Sequence, residues 1–268
     1  MTDKYAVIGN PISHSKSPLI HRMFAEQTGQ DISYEAIEAP LDGFAAKIEE
    51  LRTKGYKGCN VTVPFKFEAF KLATELSERA QAAQAVNTLK FEGGALIGDN
   101  TDGAGLVADI EHNLGVSLQG KQVLLMGAGG AAYGVVLPML HAGARIIVAN
   151  RTADKARQLA AAFAGQSNVS GCGYDELNDR QFDAIINATS AGLSDSTVPL
   201  PNTIFAPGAL AYDMMYGRET PFMAFARQHG ARVADGLGML VEQAAEAFHI
   251  WRGVRPDTKP VLEKLRSA

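Results

Sequence analysis

Residues 123–132 read VLLMGAGGAA, four apolar residues, then a glycine-rich turn, then the first alanines of a helical run. The apolar run has the length of a short buried strand, and Gly127, Gly129 and Ala132 carry the spacing of a strand-to-helix turn that receives a pyrophosphate. Gly127 allows the tight turn, Gly129 lets backbone amides approach the phosphates, and Ala132 is small where helix and strand pack closely. Ala128, Gly130 and Ala131 complete the loop. The helix start that follows offers free N–H groups and a positive dipole end to an anion. A GxGxxA spacing says little alone; here a strand precedes it and another follows, over 145–149.

Downstream the alternation continues. A helix over 131–141 is expected to kink at Pro138, which removes one backbone hydrogen bond. A helix over 153–163 and strands over 182–188, 209–214 and 232–234 follow. This is a Rossmann-like unit that begins mid-chain, so the preceding segment is something else. The strand at 145–149 ends in Asn150, Arg151 and Thr152, where an NAD-binding unit carries an acid for the ribose hydroxyl. With no carboxylate there, and with Arg151 and Lys155 able to hold a 2′-phosphate, NADP is expected over NAD. Asp154 falls in the first turn of the next helix, where the dipole favours an acid for structural reasons.

Upstream, strand and helix patterns also alternate. A strand over 5–8 precedes a helix opened by Ser17 as cap and Pro18 at its first position, ending near Gly29. A strand over 32–39, a helix over 44–51, a strand over 59–63 and a helical segment over 74–85 follow. Residues 87–97 form a hairpin around Gly93-Gly94. A helix over 104–113 leads into the glycine-turn unit, and helices over 237–251 and 258–265 come last. Together these patterns give an α/β chain of two domains, the first a mostly parallel sheet covered by helices.

The 268 residues are 46% hydrophobic and 20% charged, enough for one large or two moderate domains. A net charge of −4 provides no footprint for nucleic acid or an anionic membrane. Cys59 and Cys172 lack zinc-ligand spacing, and no apolar run reaches membrane-spanning length, so a reduced, metal-free cytoplasmic protein is expected.

Two polar termini suggest the chemistry. NVTVPFK, residues 60–66, is a β-type run that stops at Pro64 and delivers Lys66 to its end; GDNTDG, residues 98–103, delivers Asp102. An ammonium and a carboxylate side by side can exchange a proton with a substrate oxygen. Beside a dinucleotide site, that pair suggests carbonyl/alcohol redox chemistry. Each residue alone has a plain structural alternative: Lys66 a solvated lysine at a helix start, Asp102 a helix cap. Ser15, Ser17, Thr62, Asn87 and Gln243 carry hydroxyl and amide groups, and singly each reads as a turn, cap, strand or polar helix residue.

The segments GNPISHSKSP (9–18), NVTVPFK, AVNTL (85–89), GDNTDG, GAGGA, NRT, INATSAG (186–192), DMMY (213–216) and DGLGMLVEQ (235–243), in that order, resemble shikimate dehydrogenases. The resemblance implies NADPH-dependent reduction of 3-dehydroshikimate to shikimate, with Lys66 and Asp102 at the reacting oxygen. It implies that Ser15 and Ser17 hold the substrate carboxylate, and that Thr62, Lys66, Asn87, Asp102 and Gln243 surround the ring hydroxyls with Tyr216 beside them. It places Met214 and Gly236 near the nicotinamide. It also implies that the last helices pack back on the first domain, giving 1–102 with 237–268 as the substrate domain and 103–236 as the NADP domain. Ala132-Tyr133 depart from the Ser-Arg that some members carry after GAGGA. The expected partners are small molecules alone, with the chain a monomer or homodimer. An NAD-linked quinate/shikimate dehydrogenase and a non-catalytic NADP-sensing protein are the rivals.

Overall fold

The computed structural model describes residues 2–163, 165, 168–189 and 199–267. In chain order the first elements are β1 (Asp3–Gly9), α1 (Ser17–Thr28), β2 (Ile32–Glu38), α2 (Phe44–Thr53), β3 (Tyr56–Val61), α3 (Lys66–Leu72), β4 (Glu75–Leu76), α4 (Glu78–Ala83), β5 (Thr88–Glu92) and β6 (Ala95–Asp99). Then come α5 (Asp102–Ala108), β7 (Gln122–Met126), α6 (Gly130–His141), β8 (Arg145–Ala149), α7 (Ala153–Ala162) and β9 (Val169–Cys172). The remainder are β10 (Phe182–Asn187), β11 (Phe205–Asp213), α8 (Pro221–Gln228), β12 (Arg232–Ala234), α9 (Leu237–Arg252) and α10 (Lys259–Arg266). Two compact units result: Met1–Gly105 with Leu240–Ala268, and Leu106–Met239. Both divisions fall inside helices, α5 and α9.

The first unit holds a mixed sheet of order β2-β1-β3-β5-β6-β4. Strand β1 runs parallel to β2 and β3, and β5 runs antiparallel to β3 and β6. Gly93 and Gly94 take φ of 58° and 88°, which makes the β5–β6 hairpin tight. Ile8, Phe44, Ile48, Leu51, Phe65 and Leu89 fill the core. Helix α9 docks on this sheet through Trp251, whose ring stacks on Tyr5 at 4.6 Å and whose Nε1 donates to the Leu89 carbonyl at 3.1 Å. A Cβ on Gly58 would stand 2.6 Å from that indole nitrogen, so glycine is what lets the helix approach.

Four sequence expectations need correction in this unit and the helix that leads out of it. Ser17 is the first residue of α1 rather than its cap; Lys16 holds the cap position, and the Ser15 hydroxyl accepts the Ser17 N–H at 3.3 Å. Strand β3 ends at Val61, a turn follows, and Lys66 opens α3 instead of closing a strand. The segment 74–85 is a two-residue strand followed by α4, because the Ser77 hydroxyl accepts the Ala80 N–H and starts the helix there. Helix α5 begins at Asp102 and changes to a π turn over Asp109–Asn113.

The second unit is an all-parallel sheet of order β12-β11-β10-β7-β8-β9. This is the doubly wound order in which strand order reverses between β7 and β10, beside the glycine turn. Its central strands β7, β8 and β10 are largely buried, as both faces of a parallel sheet demand. Edge strand β9 and helix α8 add to the elements expected from the sequence. Residues 190–192 of the INATSAG segment lie outside the described residues.

Candidate active site

In the first unit, Lys66 and Asp102 meet. Helix α3 presents Lys66 from its first residue, and α5 presents Asp102 from its first turn. Lys66 Nζ lies 2.6 Å from Asp102 Oδ2, with the two side chains 29% and 14% exposed. The lysine is therefore paired yet open on one side, so a donor N–H remains available to a ligand.

Asn87 stands at the centre of the polar groups around this pair. Its Nδ2 donates to Asp102 Oδ1 at 2.8 Å and to Thr101 Oγ1 at 2.9 Å. Its Oδ1 accepts the backbone N–H of Thr101 at 2.8 Å and the Thr88 hydroxyl at 2.9 Å. A backbone N–H can only donate, so it fixes which end of the Asn87 amide faces the carboxylate. Gln243 on α9 turns its Oε1 toward Asn87 Nδ2 and Thr101 Oγ1 at 3.5 and 3.4 Å, while its Nε2 donates to the Leu240 carbonyl. Asn60 Nδ2 donates to Thr88 Oγ1 at 3.0 Å and Tyr34 donates to Asn60 Oδ1 at 2.7 Å. Thr101, Thr88 and Asn60 were not singled out from the sequence, although all three lie in or beside the quoted motifs.

Ser15, Ser17 and Thr62 flank the carboxyl ends of the central strands of this sheet. Thr62 follows β3 directly and packs against Gly9 at the end of β1; a Cβ on Gly9 would come within 2.6 Å of its methyl. Ser17 is buried and Ser15 half-buried. Ser17 lies against the Tyr34 phenol, which donates to Asn60, while no direct hydrogen bond joins Ser15, Ser17 or Thr62 to Lys66 or Asp102 among the described residues.

In the second unit, Gly127 has φ of 102°, a conformation that penalises any side chain. At Gly129 a Cβ would meet nothing within 4 Å, and no side chain caps the start of α6. Open space over uncapped helix amides fits a bound pyrophosphate. Strand β8 leads to Asn150, whose Nδ2 donates to the Thr152 carbonyl at 3.0 Å. Arg151, Thr152 and Lys155 are exposed, and neither cation forms an ion pair among the described residues. Asp154, the nearest acid, pairs with Arg157 instead. The donor set suits a 2′-phosphorylated nucleotide.

Met214 and Tyr216 follow β11, where Asp213 organises the chain. Its Oδ2 accepts from Asn187 Nδ2 at 3.0 Å and Thr220 Oγ1 at 2.6 Å, and its Oδ1 accepts the Met215 N–H. Burial raises the pKa of the Tyr216 phenol. The Gly236 N–H donates to the Met215 carbonyl at 2.9 Å, and a Cβ on Gly236 would collide with the Met214 carbonyl.

Residues 7–89 match the shikimate dehydrogenase substrate-binding domain, 109–194 match shikimate/quinate 5-dehydrogenase, and 236–266 match the shikimate 5′-dehydrogenase C-terminal domain. The chain is 62% identical to the shikimate dehydrogenase (NADP(+)) of Methylobacillus flagellatus, across 99% of this chain and 100% of the relative. The chain belongs to the shikimate dehydrogenase family. Among solved structures it resembles an Ael1 enzyme from Pseudomonas putida, with TM-score 0.94, 50% identity and 98% of each chain covered. It also resembles the Thermus thermophilus shikimate 5-dehydrogenase in complex with NADP(H) and shikimate, with TM-score 0.88, 33% identity and 99% of each chain covered. For a shikimate dehydrogenase, the pairing of Lys66 with Asp102 and the absence of an acid at the end of β8 are the two features that bear on chemistry and on cofactor.

Proposed function

We propose that this shikimate dehydrogenase catalyses the reversible, NADPH-dependent reduction of 3-dehydroshikimate to shikimate, on the path to chorismate and the aromatic amino acids. The observation that carries the reading is the Lys66 Nζ to Asp102 Oδ2 contact of 2.6 Å, joined to Asn87 and Gln243. Bound NADPH supplies the hydride for the C3 carbonyl carbon. Lys66 Nζ hydrogen-bonds the C3 oxygen and hands it a proton, which stabilises the charge that develops there. Asp102 holds the ammonium in place. In oxidation the pair accepts the proton instead.

Ser15 and Ser17 hold the substrate carboxylate. Thr62, Asn87, Gln243 and Tyr216 bind the ring hydroxyls, with Lys66 and Asp102 at the reacting one. The cap alternative for Ser17 loses its support, since Ser17 lies inside α1 and Ser15 accepts its N–H. Gly127, Ala128, Gly129, Gly130 and Ala131 cradle the pyrophosphate, while Met214 and Gly236 border the nicotinamide. Asn150, Arg151, Thr152 and Lys155 receive the 2′-phosphate, drawn by two cations that form no ion pair among the described residues, while Asp154 pairs with Arg157. The protein works in the cytoplasm on small molecules, as a monomer or homodimer; two buried free thiols suit a reducing compartment.

Following nicotinamide absorbance with shikimate or quinate against NADP or NAD tests the proposal. Turnover is expected with shikimate and NADP. Turnover confined to NAD with quinate would replace it by the NAD-linked quinate/shikimate reading, and no turnover in any pairing by the binding-protein one.

A further inference from the structure

Arg79 touches none of the groups assigned to chemistry, yet two of them hang from it. Its Nε donates to Asp99 Oδ1 at 2.7 Å and its Nη2 to Asp99 Oδ2 at 3.0 Å, a two-pronged clasp. The same Nη2 donates to Glu246 Oε1 at 2.8 Å. Asp99 lies three residues before Asp102, and Glu246 lies three residues after Gln243, about one turn along α9.

The Asp99 arm leads to the catalytic carboxylate by short steps. Asp99 Oδ1 also accepts the Ser77 hydroxyl at 2.6 Å and the Asn100 N–H at 2.7 Å. Asn100 is buried; its Nδ2 donates to the Ala85 carbonyl at 3.1 Å and its Oδ1 accepts the Asp102 N–H at 3.1 Å. The Glu246 arm is braced from behind by Arg255, whose Nη1 donates to Glu246 Oε2 at 2.5 Å. Burial pushes the Glu246 carboxyl up, and Arg79 and Arg255 outweigh it and hold it below the usual range, so it stays ionised as an anchor. The Arg79, Asp99 and Glu246 side chains are only 24%, 15% and 17% exposed, which separates them from freely solvated surface pairs.

We propose that Arg79 is a positioning residue that ties the loop carrying Asp102 to the turn of α9 carrying Gln243, holding both in register around Asn87. The inference rests on the dehydrogenase reading above. A lysine would put one point charge where a fixed fork serves three carboxylate oxygens.

The test compares wild type, Arg79→Ala and Arg79→Lys in shikimate oxidation with NADP. Arg79→Ala is expected to lose about ten- to a hundredfold in kcat through misplacement of Asp102. The shikimate KM should rise, the NADP KM should stay put, and millimolar guanidinium ion should restore part of the rate in Arg79→Ala but none in Lys66→Ala. Arg79→Lys should fall between. A lower melting temperature with kcat and shikimate KM unchanged would reduce Arg79 to a stabilising residue and overturn the inference. Should Arg79→Ala fail to fold, Asp99→Asn and Glu246→Gln open one arm each. The first is then expected to lower kcat and the second to raise the shikimate KM, and wild-type values in both would overturn it equally. A wild type inactive with shikimate and NADP overturns the dehydrogenase reading as well.

Discussion

The two units bring their candidate groups to readiness in opposite ways. In the first, the polar side chains are spoken for by one another: Lys66 by Asp102, Asp102 by Asn87, Asn87 by Thr88 and Thr101. In the second, the groups suited to an anion are bare: uncapped amides at α6, open space at Gly129, and Arg151 and Lys155 without ion pairs among the described residues. A site that must place a proton to within fractions of an ångström benefits from interlocked side chains. One that must attract a highly charged, water-soluble nucleotide benefits from unpaired donors.

The contrast breaks first at Lys66. Lys66→Ala should lower kcat for shikimate oxidation by about 10² to 10⁴ with little change in NADP affinity, because the group acts on the reacting oxygen. Asp102→Asn should do comparable damage, and the double variant should lose far less than the product of the two, as expected of groups acting as a unit. Steady-state and binding measurements on the four proteins decide it; a Lys66→Ala enzyme within a few-fold of wild type would remove the proton-transfer role.

Next in size is Ser17→Ala. Losing a charge-assisted hydrogen bond to the substrate carboxylate should cost about 1.5 to 3 kcal/mol of binding, read as a higher shikimate KM at constant NADP KM. A fall in melting temperature with unaltered KM would return Ser17 to a structural role.

The bare side of the comparison sharpens at Arg151. Arg151→Ala should weaken NADP relative to NAD by about 1 to 3 kcal/mol, measured as the ratio of kcat/KM for the two cofactors at fixed shikimate. Asn150→Asp should shift that ratio the same way by repelling the phosphate. An unmoved ratio in both variants would place cofactor choice elsewhere.

A further test, of stability rather than of activity, concerns His21, at the interlocked unit's core. Its ring is fully buried and stacks on Tyr34 at 4.0 Å, and burial, opposed in part by Asn60, lowers its pKa to about 3. The unfolded chain protonates His21 below about pH 6.5 while the folded chain does not, so stability is whole above that value. It should fall by up to about 1.4 kcal/mol per pH unit as pH drops from there toward 3. His21→Phe should flatten that slope in urea titrations at a series of pH values; an equal slope in both proteins would show that His21 does not govern it.

The central strands of the second unit were legible because a parallel sheet needs continuous apolar runs, and 123–126 and 146–149 are such runs. Strand β9 was not. It is four residues long, lies at an edge and contains Gly171, required because the Ala156 carbonyl crosses so close that a Cβ would strike it. Helix α8 did carry a signal, Thr220 accepting the Met223 N–H with Pro221 at the helix start, the same rule applied at Ser17-Pro18. Helix α3 is seven residues long, too short for periodicity to separate it from the strand before it. Of the candidate site residues, Lys66 and Asp102 carried a chemical signal in the sequence, an ammonium and a carboxylate at two polar termini, and the structure pairs them. Thr88, Thr101 and Asp213 were not, since their importance lies in which side chains they orient, and that depends on strand register.

The first unit is discontinuous along the chain, and that bears on how the protein is made. Residues 106–239 are contiguous, so their parallel sheet is free to close while synthesis is still under way. The mixed sheet has to wait, because Trp251 must arrive to stack on Tyr5 and bond Leu89, and Arg252 must arrive to reach Asp3 at 2.5 Å. Until residues 240–268 leave the ribosome, the face of that sheet meant for Trp251 stands uncovered, and the half of the enzyme that begins the chain is the half that finishes folding last.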